Sequence, residues 1–100
     1  MIFEIAQIEI DQQRGAAFEA VVAEAEPLFR AAKGFRSFEL TRSIEHPGRY
    51  RLTIGWVSVE AHTVDFRGSA DFERWRSLAG PFFLEAPIVE HVRQILPQQA

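Results

Sequence analysis

Residues 2–10 alternate as a strand does, yet large apolar side chains fall on both alternating sets. Ile2, Ile8 and Ile10 take one side, and Phe3 and Ile5 the other. A strand that is apolar on both faces needs cover on both faces. Residues 88–96 repeat the pattern, with Ile88, Val92 and Leu96 on one side and Val89 and Ile95 on the other. The two ends of the chain therefore belong to a sheet that water does not cover on either side.

The segments between them supply one layer of cover. After a turn at 11–15, Phe18, Val21, Val22, Ala25, Leu28 and Phe29 recur at helical spacing. Gly34 stops that helix, with Lys33 near its C-terminal carbonyls. Pro27 lies inside the pattern, so a kink or break is expected near Glu26. Residues 35–43 and 49–57 read as strands joined by the turn Glu45-His46-Pro47-Gly48, hence a hairpin. Tyr50, Leu52, Ile54 and Trp56 share one face of the second. Ser58 caps a short helix over about 59–67, and Gly68 interrupts. Ser69 caps another through Ala79, carrying Phe72, Trp75 and Leu78, and Gly80-Pro81 ends it. A loop over 82–87 leads to the last strand, which Pro97 closes.

The order β-α-β-β-α-α-β is the ferredoxin-like, split βαβ arrangement: an α+β fold on a four-stranded antiparallel sheet. Its helices cover one sheet face, and no spare segment is left for the other. A symmetric second copy would cover it, so a homodimer is expected.

At 100 residues the chain reads as one domain, 1–100. With 47% hydrophobic and 25% charged residues, disorder is not expected. The formal net charge is −3 and no Lys/Arg run exists to neutralise phosphates, which argues against a nucleic-acid partner. The absence of cysteine excludes disulfides, thiolate metal sites and Cys nucleophiles. No apolar run approaches the ~20 residues that span a bilayer, and the N-terminus lacks a basic n-region. No membrane association and a cytoplasmic location are therefore expected. Nine Phe in so short a chain either pack a dense core or line an apolar pocket.

Several features together resemble the antibiotic biosynthesis monooxygenase domain family of dimeric α+β barrels, which includes quinol monooxygenase-like proteins. They are Trp56 ending a strand, Glu60-Ala61-His62 on the short helix, Ser69 and Phe72 opening the next helix, and Val89-Glu90-His91 on the last strand. Phe18 and Gly34-Phe35 fit as well. The likeness covers nearly the whole chain. It departs at Gln12-Gln13, where the family often has a Pro-Gly turn. The haem-degrading branch carries an Asn and a Trp/His pair where this chain has Ala6, Phe66 and Arg76, which argues against that activity.

The resemblance implies a reaction without metal, haem or flavin, in which a deprotonated quinol or polyphenol itself reduces O2. Such a mechanism asks for a dry aromatic pocket, a base for the phenol proton and a donor to oxygen. The expected pocket lies between the sheet and the two short helices, lined by His62, Phe66, Trp75 and Phe83. His62 is the base candidate, since imidazole titrates near neutral pH, and Arg67 the oxyanion partner. His91 sits at the edge, and Trp56 is a further stacking wall. Each has an ordinary reading beside it: core packing for the aromatics, a solvated face with Asp71 and Glu73 for Arg67, Arg74 and Arg76, and a structural histidine for His62 and His91. His46 lies in a turn and is expected to be inert. No HExxH-like spacing joins the histidines to Glu60, Asp65 or Glu90, so no metal is expected. Two other functions remain open on this fold: a non-catalytic binding or stress-response barrel, and a lactone isomerase-like activity.

Overall fold

A computed structural model describes residues 1–98, so the last two positions of the expected domain lie outside the described residues. The elements run β1 (Ile2–Glu9), a 3-10 turn (Gln12–Arg14), α1 (Gly15–Arg30), β2 (Phe35–Arg42) and β3 (Arg49–Trp56). Then come a π-helical turn (Ala61–Phe66), α2 (Ala70–Ala79), a 3-10 turn (Gly80–Phe82) and β4 (Ile88–Arg93). All strands pair antiparallel in the order β2-β3-β1-β4. This is the ferredoxin-like α+β fold, with β1 and β3 central and the helices on one face.

The even-numbered residues of β1 turn toward the helices. Glu4, Ala6 and Ile8 are buried, as is Ile10 just beyond the strand, and across from β1 Tyr50, Leu52, Ile54 and Trp56 of β3 are almost fully buried. Phe18, Val22, Ala25 and Phe29 of α1 pack onto this layer. Phe29 is the hub: its ring lies 5.3 Å from Phe38, 4.7 Å from Phe66 and 5.2 Å from Trp75. Aromatic contacts at these separations stabilise beyond the area they bury.

Three expectations need correction. Of the kink or break expected near Glu26, the break does not occur: α1 continues through Pro27 to Arg30. Proline removes its own N–H bond and crowds the carbonyl four residues back, a local cost that burial of Phe29 beyond it outweighs. β4 ends at Arg93 rather than at residue 96, because its partner β1 ends there: Arg93 pairs with Ile2, and only the Gln94 N–H to Met1 carbonyl bond follows. The short helix expected over 59–67 is largely π-helical, with the Arg67 N–H donating to the His62 carbonyl five residues back, at 3.0 Å. The wider turn brings Ala61, His62 and Phe66 all inward. The expected caps form: Ser58 Oγ accepts from the Ala61 N–H and Ser69 Oγ from the Phe72 N–H.

Gly34 sets how closely the π-helical turn approaches the sheet. Its φ is +87°, and a Cβ there would stand 2.7 Å from Val57 Cγ2 and 2.8 Å from Ala61 Cβ. Only glycine accommodates both conditions.

Candidate functional site

A pocket of about 240 Å³ lies between the sheet and the short helices. Its floor is the covered sheet face: Glu4, Ala6 and Ile8 of β1, Leu52 of β3 and Val89 of β4. Ala6 pairs with both Leu52 and Val89, so the smallest side chain of the floor sits between two larger ones and the surface dips there. Phe72, Trp75 and Arg76 of α2 form one wall, and Phe83 and Pro87 of the following loop another. His62 and Arg67, at the two ends of the π-helical turn, complete it.

The sequence reading missed the most unusual group, Glu4. Its residue is only 7% exposed. Trp56 Nε1 donates to its Oε1 at 3.0 Å, and its Oε2 lies 3.3 Å from His62 Nε2. Burial raises its pKa to about 7, although the Trp56 hydrogen bond and the Arg67 charge pull the other way. A signal was available: Glu4 falls on the Ile2/Ile8/Ile10 side of β1, an acid in an apolar phase. A carboxyl placed there is either a folding defect or a group with work to do.

His62 is 2% exposed and stacks on Trp56, with centroids 5.7 Å apart and planes 18° off parallel. Both its nitrogens are engaged, Nε2 by Glu4 and Nδ1 by His91 Nε2 at 2.8 Å. Burial lowers its pKa to about 4, and the charges of Arg67 and His91 act in the same direction. It is therefore neutral at neutral pH, one nitrogen a donor and the other an acceptor.

Of the residues singled out in the sequence, His62, Arg67, Trp75 and Phe83 meet at the pocket. Phe66 and Trp56 do not line it. They form the packed layer beneath, with rings 5.5 Å apart. His91 stands behind His62 and reaches the pocket only through it. His46 is exposed in its turn. Among the described residues no group of three or more His, Asp or Glu is arranged to hold a metal ion, and no helix is long and apolar enough to cross a membrane.

The site can accept a flat apolar molecule against Trp75 and Phe83, exchange a proton at Glu4 and present a guanidinium from Arg67. The antibiotic biosynthesis monooxygenase family matches residues 1–78. A Bacillus subtilis protein of uncharacterised function, YczJ, is 30% identical over 95% of this chain and 100% of its own length. A Bordetella bronchiseptica crystal structure, provisionally named an antibiotic biosynthesis monooxygenase, is 50% identical over 95% of this chain and 97% of its own, with a TM-score of 0.92. A similarly named structure from Caulobacter crescentus, 23% identical over 94% of this chain and 89% of its own, shares the fold with a TM-score of 0.81. The chain belongs to the antibiotic biosynthesis monooxygenase family.

Proposed function

We propose that this protein is a cytoplasmic, homodimeric monooxygenase that oxidises a quinol or polyphenolic ring with O2 and needs no added cofactor. The observation that carries the reading is a buried, hydrogen-bonded carboxyl at the floor of an aromatic-walled pocket. Its pKa of about 7 lies where a general base is most useful. The cavity of about 240 Å³ fits a substituted ring, given that roughly 150 Å³ suffices for benzene.

Glu4 is the group that takes the phenol proton. His62 acts through it, because both imidazole nitrogens already have partners. Trp75 and Phe83 hold the ring flat, and Arg67 faces the oxygen on which charge develops. The electron-rich phenolate gives one electron to O2. The two radicals couple at a ring carbon bearing hydrogen, and the resulting peroxide collapses to a quinone and water.

The test is oxygen uptake with hydroquinones and polyphenols, without added metal, flavin or haem. Wild type should consume O2 and form quinone. Glu4→Gln and His62→Ala should each lose about 10²–10⁴-fold in kcat/KM. Wild-type ligand binding with no uptake would leave the non-catalytic binding barrel as the better reading.

A further inference from the structure

We infer that Glu4, His62 and His91 form a proton relay leading from the pocket to the outer edge of the sheet. The geometry is a line of short contacts: Glu4 Oε2 to His62 Nε2 at 3.3 Å, then His62 Nδ1 to His91 Nε2 at 2.8 Å. An imidazole held at both nitrogens takes a proton on one and releases it from the other without moving. Exposure increases outward, since Glu4 and His62 are buried and His91 is half-buried on β4, an edge strand. Among the described residues His91 makes no second hydrogen bond, which leaves its Nδ1 to exchange with solvent.

Three elements hold the line in place. Glu4 and His91 are directly paired across β1 and β4. Trp56 of β3 donates to Glu4 and stacks on His62. The π-helical turn fixes the His62 backbone through its bond from Arg67. The charged groups facing the relay are Arg67 and Arg76 of the pocket. α1 meets the cluster through Phe29, packed on Phe66. Guanidinium groups donate hydrogen bonds and accept no proton. Apart from the relay and these two arginines the pocket lining is apolar, so a proton leaving the substrate without crossing the pocket mouth goes through Glu4.

The relay rests on the oxidative reading for its purpose. In that reaction a phenol and O2 give a quinone and water, with no net proton. Protonated Glu4 first discharges: its proton passes to His62 Nε2 while His62 Nδ1 gives its own to His91, which leaves Glu4 a carboxylate that takes the hydroxyl proton. Glu4 hands that proton to the peroxide oxygen, and the proton held on His91 returns along the same line to Glu4. The O–O bond then breaks, and the departing hydroxide combines with the proton lost from the ring carbon. The outward and return passages restore the starting tautomer of His62 in every cycle.

Two experiments test this. Nitrogen-15 NMR of the wild-type protein reads the His62 tautomer as pH is lowered from about 8 to about 6, across the Glu4 transition. His62 should stay neutral while its N–H moves from Nε2 to Nδ1, and Glu4→Gln should abolish the exchange. A fixed tautomer, or an exchange that persists in Glu4→Gln, overturns the relay. In the second experiment His91→Ala should lower kcat for oxygen uptake at least tenfold with KM unchanged, and added imidazole should restore it. An unchanged kcat, or a loss that imidazole does not repair, also overturns it. If wild type takes up no oxygen with any hydroquinone, the oxidative reading fails by itself, and the tautomer measurement still decides the relay.

Discussion

At the scale of the residue, Glu4 and His62 are both held neutral by burial, and their effects on stability oppose each other. Glu4 rises from 4.5 to about 7, so its folded state keeps a proton that the unfolded chain releases. Stability from this source is full below pH 4.5 and is lost as pH rises toward 7. His62 falls from 6.5 to about 4, so its folded state refuses a proton that the unfolded chain takes up. Its contribution is full above pH 6.5 and is lost as pH falls toward 4. Between 4.5 and 6.5 the two slopes cancel. Each shift corresponds to something on the order of 3 kcal/mol. Glu4→Gln should therefore make stability rise with pH across that window relative to wild type, and His62→Gln should make it fall, each by on the order of 3 kcal/mol. Urea unfolding at the two ends of the window reads this directly. Parallel profiles for all three proteins would mean that the pair is solvated.

At the scale of the element, the π-helical turn and Gly34 depend on one another. The Val57 N–H donates to the Gly34 carbonyl at 2.9 Å, and Ala61 lies against Gly34 where any other residue would place a Cβ. Gly34→Ala should cost roughly 1–2 kcal/mol from its φ alone, and more from the displaced turn. The melting temperature should fall, and the Trp56–His62 stack should loosen in the near-ultraviolet circular dichroism. An unchanged melting temperature would show that the approach is slack. The sequence made much of this level legible. Period-2 and period-3.6 patterns, the serine caps and the Pro-Gly turn are local signals, and the hairpin, α1 and α2 follow from them. The π-helical turn was not legible, because its i→i+5 bonding is imposed by packing of Ala61, His62 and Phe66 against β3 and α1. The ends of β4 depended on the length of β1, again a tertiary fact. The pocket's place between sheet and short helices could be read from the helix break at Gly68. The acid at its floor could not be weighed without knowing how deeply strand β1 is covered.

At the scale of the whole molecule, one sheet face carries all the helices and the other carries none. The register puts Phe3 and Ile5 of β1 on that open face, beside Ile88, Glu90 and Val92 of β4. Gln7, Glu9, Arg49 and Arg51 lie on it too, with Arg49 Nε bonded to Glu9 at 2.6 Å. The open face thus carries Phe3, Ile5, Ile88 and Val92 along β1 and β4, with Glu90 between the last two, and is charged toward the Glu9 and Arg49 end. Ile88 is 63% exposed, and Ile95 and Leu96 beyond the strand are 74% and 75% exposed. Burying an isoleucine side chain is worth about 1.5–3 kcal/mol, so leaving this stripe in water is costly. A second copy related by a twofold axis would set stripe against stripe, as a self-complementary interface requires. Sedimentation equilibrium at micromolar concentration should give about twice the chain mass of 11.4 kDa. Ile88→Asp puts a carboxylate into the stripe at a position where the monomer leaves the side chain in solvent, so the fold should survive while the dimer dissociates. A monomeric wild type, or a dimer that tolerates the aspartate, would mean that the open face is covered by something other than its own copy.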